Sequence, residues 1–334
     1  MDLPRVPVRR LVAGQGPCFV VRFTAGDGKY CLVAGQDRTV RLYNPHRGDP
    51  DKEGQGTGGA GELEQGLLVK SYAGPHGYEV LDVAVLADNS RFVSCGEDKA
   101  AFLWDVSTGT VVRRMQGHEQ RINACCFSTE GSVLFTASYD KTVRAWDMRS
   151  RNRSPIQTLE GCKDSATSVS ATPSGDELVV GCVDGKVRTY DLRAARVHED
   201  DVHAPVTHAS VSHDGNCLLV TCLGGVVRLL EKSSGSQLNT YSGHLHKSYR
   251  MESWLANTDA HIISVSAVPG PTRAFVNMSE QMGSHRHIYT SSSHKSGNLC
   301  WERPLTVSEV FGGNFFEILS VFWVETHFFF FSLR

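Results

Sequence analysis

The sequence predicts an all-β protein, a propeller of four-stranded antiparallel blades, on three observations. A unit of about 40–45 residues recurs along the chain. Each unit breaks into short alternating or apolar runs separated by turns such as STEG, SYDK and CVDG. Within the best copies a histidine, an aspartate and a tryptophan keep fixed distances.

The stretch HGYEVLDVAVLADNSRFVSCGEDKAAFLWD (76–105) aligns without a gap on HEQRINACCFSTEGSVLFTASYDKTVRAWD (118–147). His76 stands 22 residues before Asp98 and 28 before Trp104, and His118, Asp140 and Trp146 repeat both offsets. Cys162, Asp184 and Tyr190 keep them again. Looser copies flank these. The first carries Asp37 and Tyr43, with Gln15 in the histidine position; the fifth has Gly224 for the aspartate and Leu230 for the tryptophan, with His203 one place off register. A sixth unit opens at Gly243-His244 and is expected to stop before its own turn and final strand.

His76, Ser94, Asp98 and Trp104 form one polar set, and His118, Thr136, Asp140 and Trp146 form a second. Out of context, histidine with a hydroxyl and a carboxylate suggests a hydrolase triad. A nucleophile is needed once, however, and this set appears twice. A structural strut fits better: the aspartate caps the turn between the second and third strands and accepts from histidine, the histidine donates to the hydroxyl, and the indole closes the chain. Buried polar groups are tolerated when fully paired in this way. Units 1, 4 and 5 lack members of the set, so their blades are expected to open more easily.

A net charge of −2, with 40% hydrophobic and 21% charged residues, gives no bulk attraction to nucleic acid or anionic membrane. The start of the chain lacks a continuous apolar signal region. None of the ten cysteines has CxxC spacing, and most sit inside apolar runs such as NACCFS and VVGCVDG. They read as reduced core residues, which places the protein in the cytoplasm and nucleus. The Gly-rich loop 44–66 contains GQGTGGAG but no phosphate-loop lysine, and reads as a flexible insertion over 45–66. MRSRNR (148–153) reads as a solvated basic loop. His244 with His246, and His285 with His287, offer two imidazoles each without a third ligand, so no metal or cofactor is expected.

These residues resemble the WD-repeat (WD40) family: a GH pair, a turn aspartate, then WD at Trp104-Asp105 and Trp146-Asp147, over residues 15–266. More narrowly, GYEVLD in unit 2 and VDGKVRTYDLR in unit 4 resemble the mitogen-activated protein kinase organiser subfamily, the WD repeat-containing protein 83 group. The resemblance implies seven-bladed ancestry and a non-enzymatic scaffold, likened to those of the extracellular-signal-regulated kinase cascade and of pre-mRNA splicing complexes. The implied partners are kinase-cascade components and splicing factors, with no nucleic acid and no membrane, bound by a monomer within larger complexes. Residues beside the struts are the candidate contacts on the narrow face: Tyr78, Glu97, Gln120, Arg121, Tyr139 and Lys141. WDMR (146–149) and YDLR (190–193) fit the WDxR pattern by which some WD-repeat proteins dock a cullin-type ubiquitin-ligase adaptor, making Arg149 and Arg193 candidates for that alternative.

The blade pattern ends near residue 270. Residues 271–334 contain no aspartate and hold nine of the fifteen phenylalanines. Glu317, Glu325 and Arg334 leave seven- and eight-residue uncharged stretches, far short of the roughly 20 apolar residues a membrane helix needs. The expectation is a propeller over 1–270, with about five full blades and part of a sixth. The tail 271–334 is expected to be poorly ordered or to improvise strands. It reads as foreign to the ancestral protein, from a retained intron or faulty gene model, against the alternative of a divergent blade. VRRLVAG (8–14) is expected to be the outer strand of the last blade, clasping the ring.

Overall fold

Alternating apolar runs bounded by Asp, Asn and Gly turns become strands. The computed structural model describes residues 9–11, 14–49, 64–150, 152, 154–242, 250–256, 259, 261–267, 274–280, 288–290 and 322–324. Five four-stranded antiparallel blades follow one another, each running from the innermost strand outwards. Blade 1 comprises Cys18–Phe23, Cys31–Gly35, Val40–Gly48 and Glu64–Tyr72; blade 2, Val80–Val85, Arg91–Gly96, Ala100–Asp105 and Val111–Gln116. Blade 3 comprises Ile122–Phe127, Val133–Ser138, Val143–Asp147 and Gln157–Leu159. Blade 4 comprises Ala166–Ala171, Glu177–Cys182, Lys186–Asp191 and Arg196–Asp201, and blade 5 Val206–Val211, Cys217–Cys222, Val226–Glu231 and Gln237–Ser242. A sixth sheet is formed by Ser253–Leu255, His261–Ala267, Ala274–Glu280 and Ile288–Thr290.

The core lies between blades. Val20, Leu32 and Tyr72 of blade 1 pack with Phe92, Phe102 and Trp104 of blade 2, and comparable clusters join each later pair of neighbours. Every innermost strand of blades 1–5 has a register break at one equivalent place, for example between Ile122 and Ala124. The extra residue bends the strand and frees its side chain from the ladder. In blades 3, 4 and 5 that residue latches the next blade: Asn123 donates to the carbonyl of Ala166 at 2.7 Å, Thr167 to Val206 at 2.9 Å and Thr207 to Met251 at 3.3 Å.

First and last sheets meet. Met251, just ahead of the sixth sheet, packs with Cys18, Val21 and Val33 of blade 1. Arg22 of blade 1 grips Glu252 through two bonds of 2.6 and 2.9 Å and reaches Asp82 of blade 2 at 2.9 Å. Arg250 adds a second cation 2.9 Å from Glu252. Residues 274–280 and 288–290, from the tail expected to be poorly ordered or to improvise strands, supply the outer half of the sixth sheet.

The N-terminal strand sits elsewhere than expected. Arg9–Leu11 runs parallel to the outer strand of blade 1, with Arg9 opposite Glu64, and Phe322–Val324 runs parallel on its other side. The cause is Leu11, which is fully buried among Cys18, Val21, Cys31 and Tyr43. A Cβ on Gly66 would lie 2.5 Å from Leu11, so the glycine makes room for it. The insertion is also shorter than 45–66, because Gly48 pairs with Gly66. GQGTGGAG, His244, His246, His285, His287 and the four phenylalanines at 328–331 lie outside the described residues.

Candidate interaction face

The two predicted polar sets come together. His76 Nδ1 lies 2.6 Å from Asp98 and its Nε2 2.6 Å from Ser94 Oγ, while Trp104 Nε1 donates to the same oxygen at 2.8 Å. In blade 3, His118 lies 2.8 Å from both Asp140 and Thr136 Oγ1, and Trp146 donates to Thr136 at 2.9 Å. Burial lowers the His76 pKa in spite of Asp98, so the ring is neutral at pH 7. With Nδ1–H donated to the carboxylate, Nε2 must accept from the serine hydroxyl. This reverses the direction expected from sequence: the hydroxyl donates to histidine and accepts from the indole. Ser94 and Thr136 are wholly buried, so no substrate carbonyl can reach either oxygen, which removes the triad reading.

Blades without the histidine are braced by arginine. Four residues after the turn aspartate, Arg41 in blade 1 pairs with Asp37. In blade 4, Arg188 holds Asp184 through bonds of 2.7 and 3.3 Å and Glu199 at 3.0 Å, with its side chain almost fully buried. Blade 5 lacks the aspartate, and Arg228 donates to the carbonyl of Val202 instead. Units 1, 4 and 5, which lack members of the histidine set, thus carry an arginine contact at the same end of the blade. The signal was visible as a repeated word: VRLY, VRAW, VRTY and VRLL.

This bracing fixes one end of every blade. The residue after the second strand donates its N–H to a carbonyl at the start of the innermost strand in all five blades, at 2.8–3.2 Å. That anchor holds Gln36, Glu97, Tyr139, Val183 and Leu223 at one equivalent position facing outward. The last three are apolar and 48%, 36% and 38% exposed, forming an arc over blades 3–5. Val183 and Leu223 escaped the sequence reading, although they stand at the same offset as Tyr139. Tyr78, two residues beyond the strut histidine His76, is 61% exposed. Arg121 stacks on Tyr139 with its guanidinium 5.0 Å from the ring centroid and lies 3.6 Å from Glu97. Gln120 is exposed next to it.

Two residues further along the same turns, Arg38, Lys99 and Lys141 adopt left-handed backbone with φ of 64°, 58° and 70°, where blade 4 uses Gly185. Glycine would adopt this conformation without strain. Blades 1–3 thus present cations and blades 3–5 present apolar side chains, overlapping at Tyr139 and Lys141. Arg149 is exposed at the opposite end of blade 3, and Arg193 is exposed but paired with Asp176 at 2.7 Å. No group of three or more metal-binding side chains gathers among the described residues.

The repeated blades, their struts and their outward-facing anchors define a WD-repeat propeller. The model of the WD domain, G-beta repeat family matches residues 66–105, 109–147 and 153–191. Rat WD repeat domain-containing protein 83 (Rattus norvegicus) is 42% identical over 79% of this chain and 77% of its own length. The human protein of the same name is 41% identical over the same shares. A Dictyostelium discoideum homolog is 29% identical over 75% of this chain and 79% of its own. The chain belongs to the WD repeat domain-containing protein 83 family.

Proposed function

We propose that this protein is a non-catalytic scaffold that holds partners on the narrow face, serving the extracellular-signal-regulated kinase cascade and pre-mRNA splicing complexes in cytoplasm and nucleus. A role as a protein-interaction propeller follows from the family. The observation that supports the face is the arc of Tyr139, Val183 and Leu223, which exposes apolar area where blades 1 and 2 carry Gln36 and Glu97. Exposed contiguous apolar side chains with a polar rim mark interaction sites, and Tyr and Arg are frequent anchors in them. A partner segment with aromatic or aliphatic residues followed by acidic ones would meet the arc and then Lys141, Lys99 and Arg38.

Immunoprecipitation from cell extract, probed for kinases of that cascade and for spliceosomal proteins, tests the proposal. Both sets should co-purify with the wild type and fall away together or separately in Tyr78→Ala/Arg121→Ala/Tyr139→Ala. Absence of both from the wild-type sample would defeat the assignment.

A second reading, substrate receptor of a cullin-type ubiquitin ligase, draws on the exposed Arg149 following Trp146-Asp147. Loss of adaptor binding in Arg149→Ala and Arg193→Ala would favour it.

A further inference from the structure

Blade 3 carries one cation more than its strut can use. Arg144 stands four residues after the turn aspartate Asp140, the place that Arg41, Arg188 and Arg228 hold in blades 1, 4 and 5. In those blades no strut histidine competes, and the arginine finds a carboxylate or a carbonyl. In blade 3 the Asp140 carboxylate is already taken by His118, the Glu119 N–H and Thr142. The Arg144 guanidinium is left over: its Nε is buried without a hydrogen bond, and the group pairs with no acid among the described residues. A Cβ on Gly117 would lie 2.5 Å from Arg144 Nη1, so the glycine keeps room for this cation.

Blade 4 shows how such a cation is satisfied. Arg188 faces Glu199 across the third and outer strands, and Glu199 accepts from its Nε at 3.0 Å. The residue in that register in blade 3 is Thr158, directly opposite Arg144. Side chains opposite one another on antiparallel strands share a face and lie within reach of each other. Thr158 is exposed, and its hydroxyl makes no hydrogen bond to a described residue. It lies on Gln157–Leu159, an edge strand of three residues where blades 2, 4 and 5 use six. So short an edge strand opens locally with ease, which lets a second protein's cleft take it up in extended form.

We propose that Thr158 is a phosphorylation site whose phosphate is received by Arg144. A protein kinase brings the co-reactant, a nucleoside triphosphate. Thr158 Oγ1 attacks the γ-phosphorus, the bond from that phosphorus to the bridging oxygen breaks, and the nucleoside diphosphate leaves; the hydroxyl proton passes to a base of the kinase. Phosphothreonine has about the reach of glutamate and carries about two negative charges at pH 7. Guanidinium pairs with phosphate through two parallel N–H···O bonds. The product reproduces on blade 3 the pair that Glu199 and Arg188 make on blade 4, and it staples the short outer strand to its neighbour. Ser154, followed by Pro155, is the competing hydroxyl in the same segment. It is exposed too, but it lies outside the ladder, with no cation opposite, and donates to Asn152 Oδ1 at 3.0 Å.

The test has two arms, both on the full chain. In the first, the chain is isolated from cultured eukaryotic cells with phosphatases inhibited by calyculin A, and mass spectrometry with site-resolving fragmentation locates the phosphate. Phosphothreonine at 158 is expected; phosphate confined to Ser154, or none on this segment, would overturn the proposal. In the second, phosphothreonine is installed at 158 by genetic code expansion, and urea unfolding is compared with that of the unmodified chain. The unfolding equilibrium constant should fall by roughly three- to fivefold. Arg144→Met should abolish that gain, while alone leaving stability near wild type because Arg144 has no bond to lose. A phosphate that stabilises equally in Arg144→Met, or that fails to stabilise the wild-type chain, would overturn Arg144 as its receiver.

Discussion

Replacing Asp140 with alanine tests the strut most simply. Its carboxylate accepts from His118 Nδ1 at 2.8 Å, the Glu119 N–H at 3.1 Å, the Thr142 N–H at 3.1 Å and the Thr142 hydroxyl at 2.6 Å. Glu119 is exposed, so water can replace that bond, but the His118 side chain is wholly buried and its Nδ1–H would be left without a partner. An orphaned buried donor costs about 1–3 kcal/mol, and a hydrogen bond to a charged group contributes about 1.5–3 kcal/mol. The terms overlap, giving a loss of about 3 kcal/mol for Asp140→Ala. Asp140→Asn, which keeps an acceptor for histidine, should lose about 1 kcal/mol. Urea unfolding of the three proteins, with His118→Ala and the Asp140→Ala/His118→Ala double variant closing a cycle, supplies the values. The strut also has a pH signature. The bonds from His118 and Thr142 hold the Asp140 carboxyl well below its ordinary value of 3.8, against the effect of burial. Its contribution is therefore complete above about pH 4 and is lost as acid is added below that. An Asp140→Ala unfolding free energy within about 0.5 kcal/mol of wild type would refute the reasoning.

Three further outcomes follow from the same geometry. Arg188→Met leaves the nearly buried Asp184 carboxylate only the Lys163 and Lys186 N–H groups and should cost about 2 kcal/mol, most of it restored by adding Asp184→Asn; a silent single variant would contradict the arginine brace. Glu252→Gln weakens the Arg22 grip between first and last sheets. Hydrogen exchange should then quicken in 18–23 and 253–255 before it changes in blade 3, and a uniform response would argue against a charged closure. His208, buried beside Trp254 and facing Glu252, Arg250 and Arg22, has its pKa lowered by burial from 6.5 to about 4. The unfolded chain takes up that proton first, so stability should fall by on the order of 2–3 kcal/mol between about pH 6.5 and 4. His208→Gln should flatten this slope; an equal slope in the variant would exclude His208 as its source.

Much of the blade architecture was readable because a rigid 22- and 28-residue spacing survives in units 2, 3 and 4. The polar sets were legible for the same reason, since every member has to reach the others across fixed strands. Proton direction was not, because it depends on how far burial drives His76 toward neutrality. The arginine braces were not legible although VR recurs, since unit 3 carries the same word beside an intact His118 and only the folded turn brings Arg41 and Arg188 onto the aspartates four residues earlier. Arg9–Leu11 could not be placed from sequence: a three-residue strand carries no partner information, and the space under Leu11 exists only once Gly66 meets Gly48. The face was half visible. Tyr139 is legible as an aromatic beside a strut, but Val183 and Leu223 look like core residues until the strand ends are fixed.

The measurement that bears most directly on the interaction face is quantitative affinity purification with two matched variants. One removes the arc (Tyr139→Ala, Val183→Ser, Leu223→Ser), and the other removes the comparably exposed rim residues Val112, Val197 and Leu238 by serine substitution. All six side chains are solvent-exposed, so both variants should unfold like wild type. The face variant should lose its co-purifying proteins by tenfold or more while the rim variant keeps them. Equal recovery from both variants, with folding intact, would contradict the account.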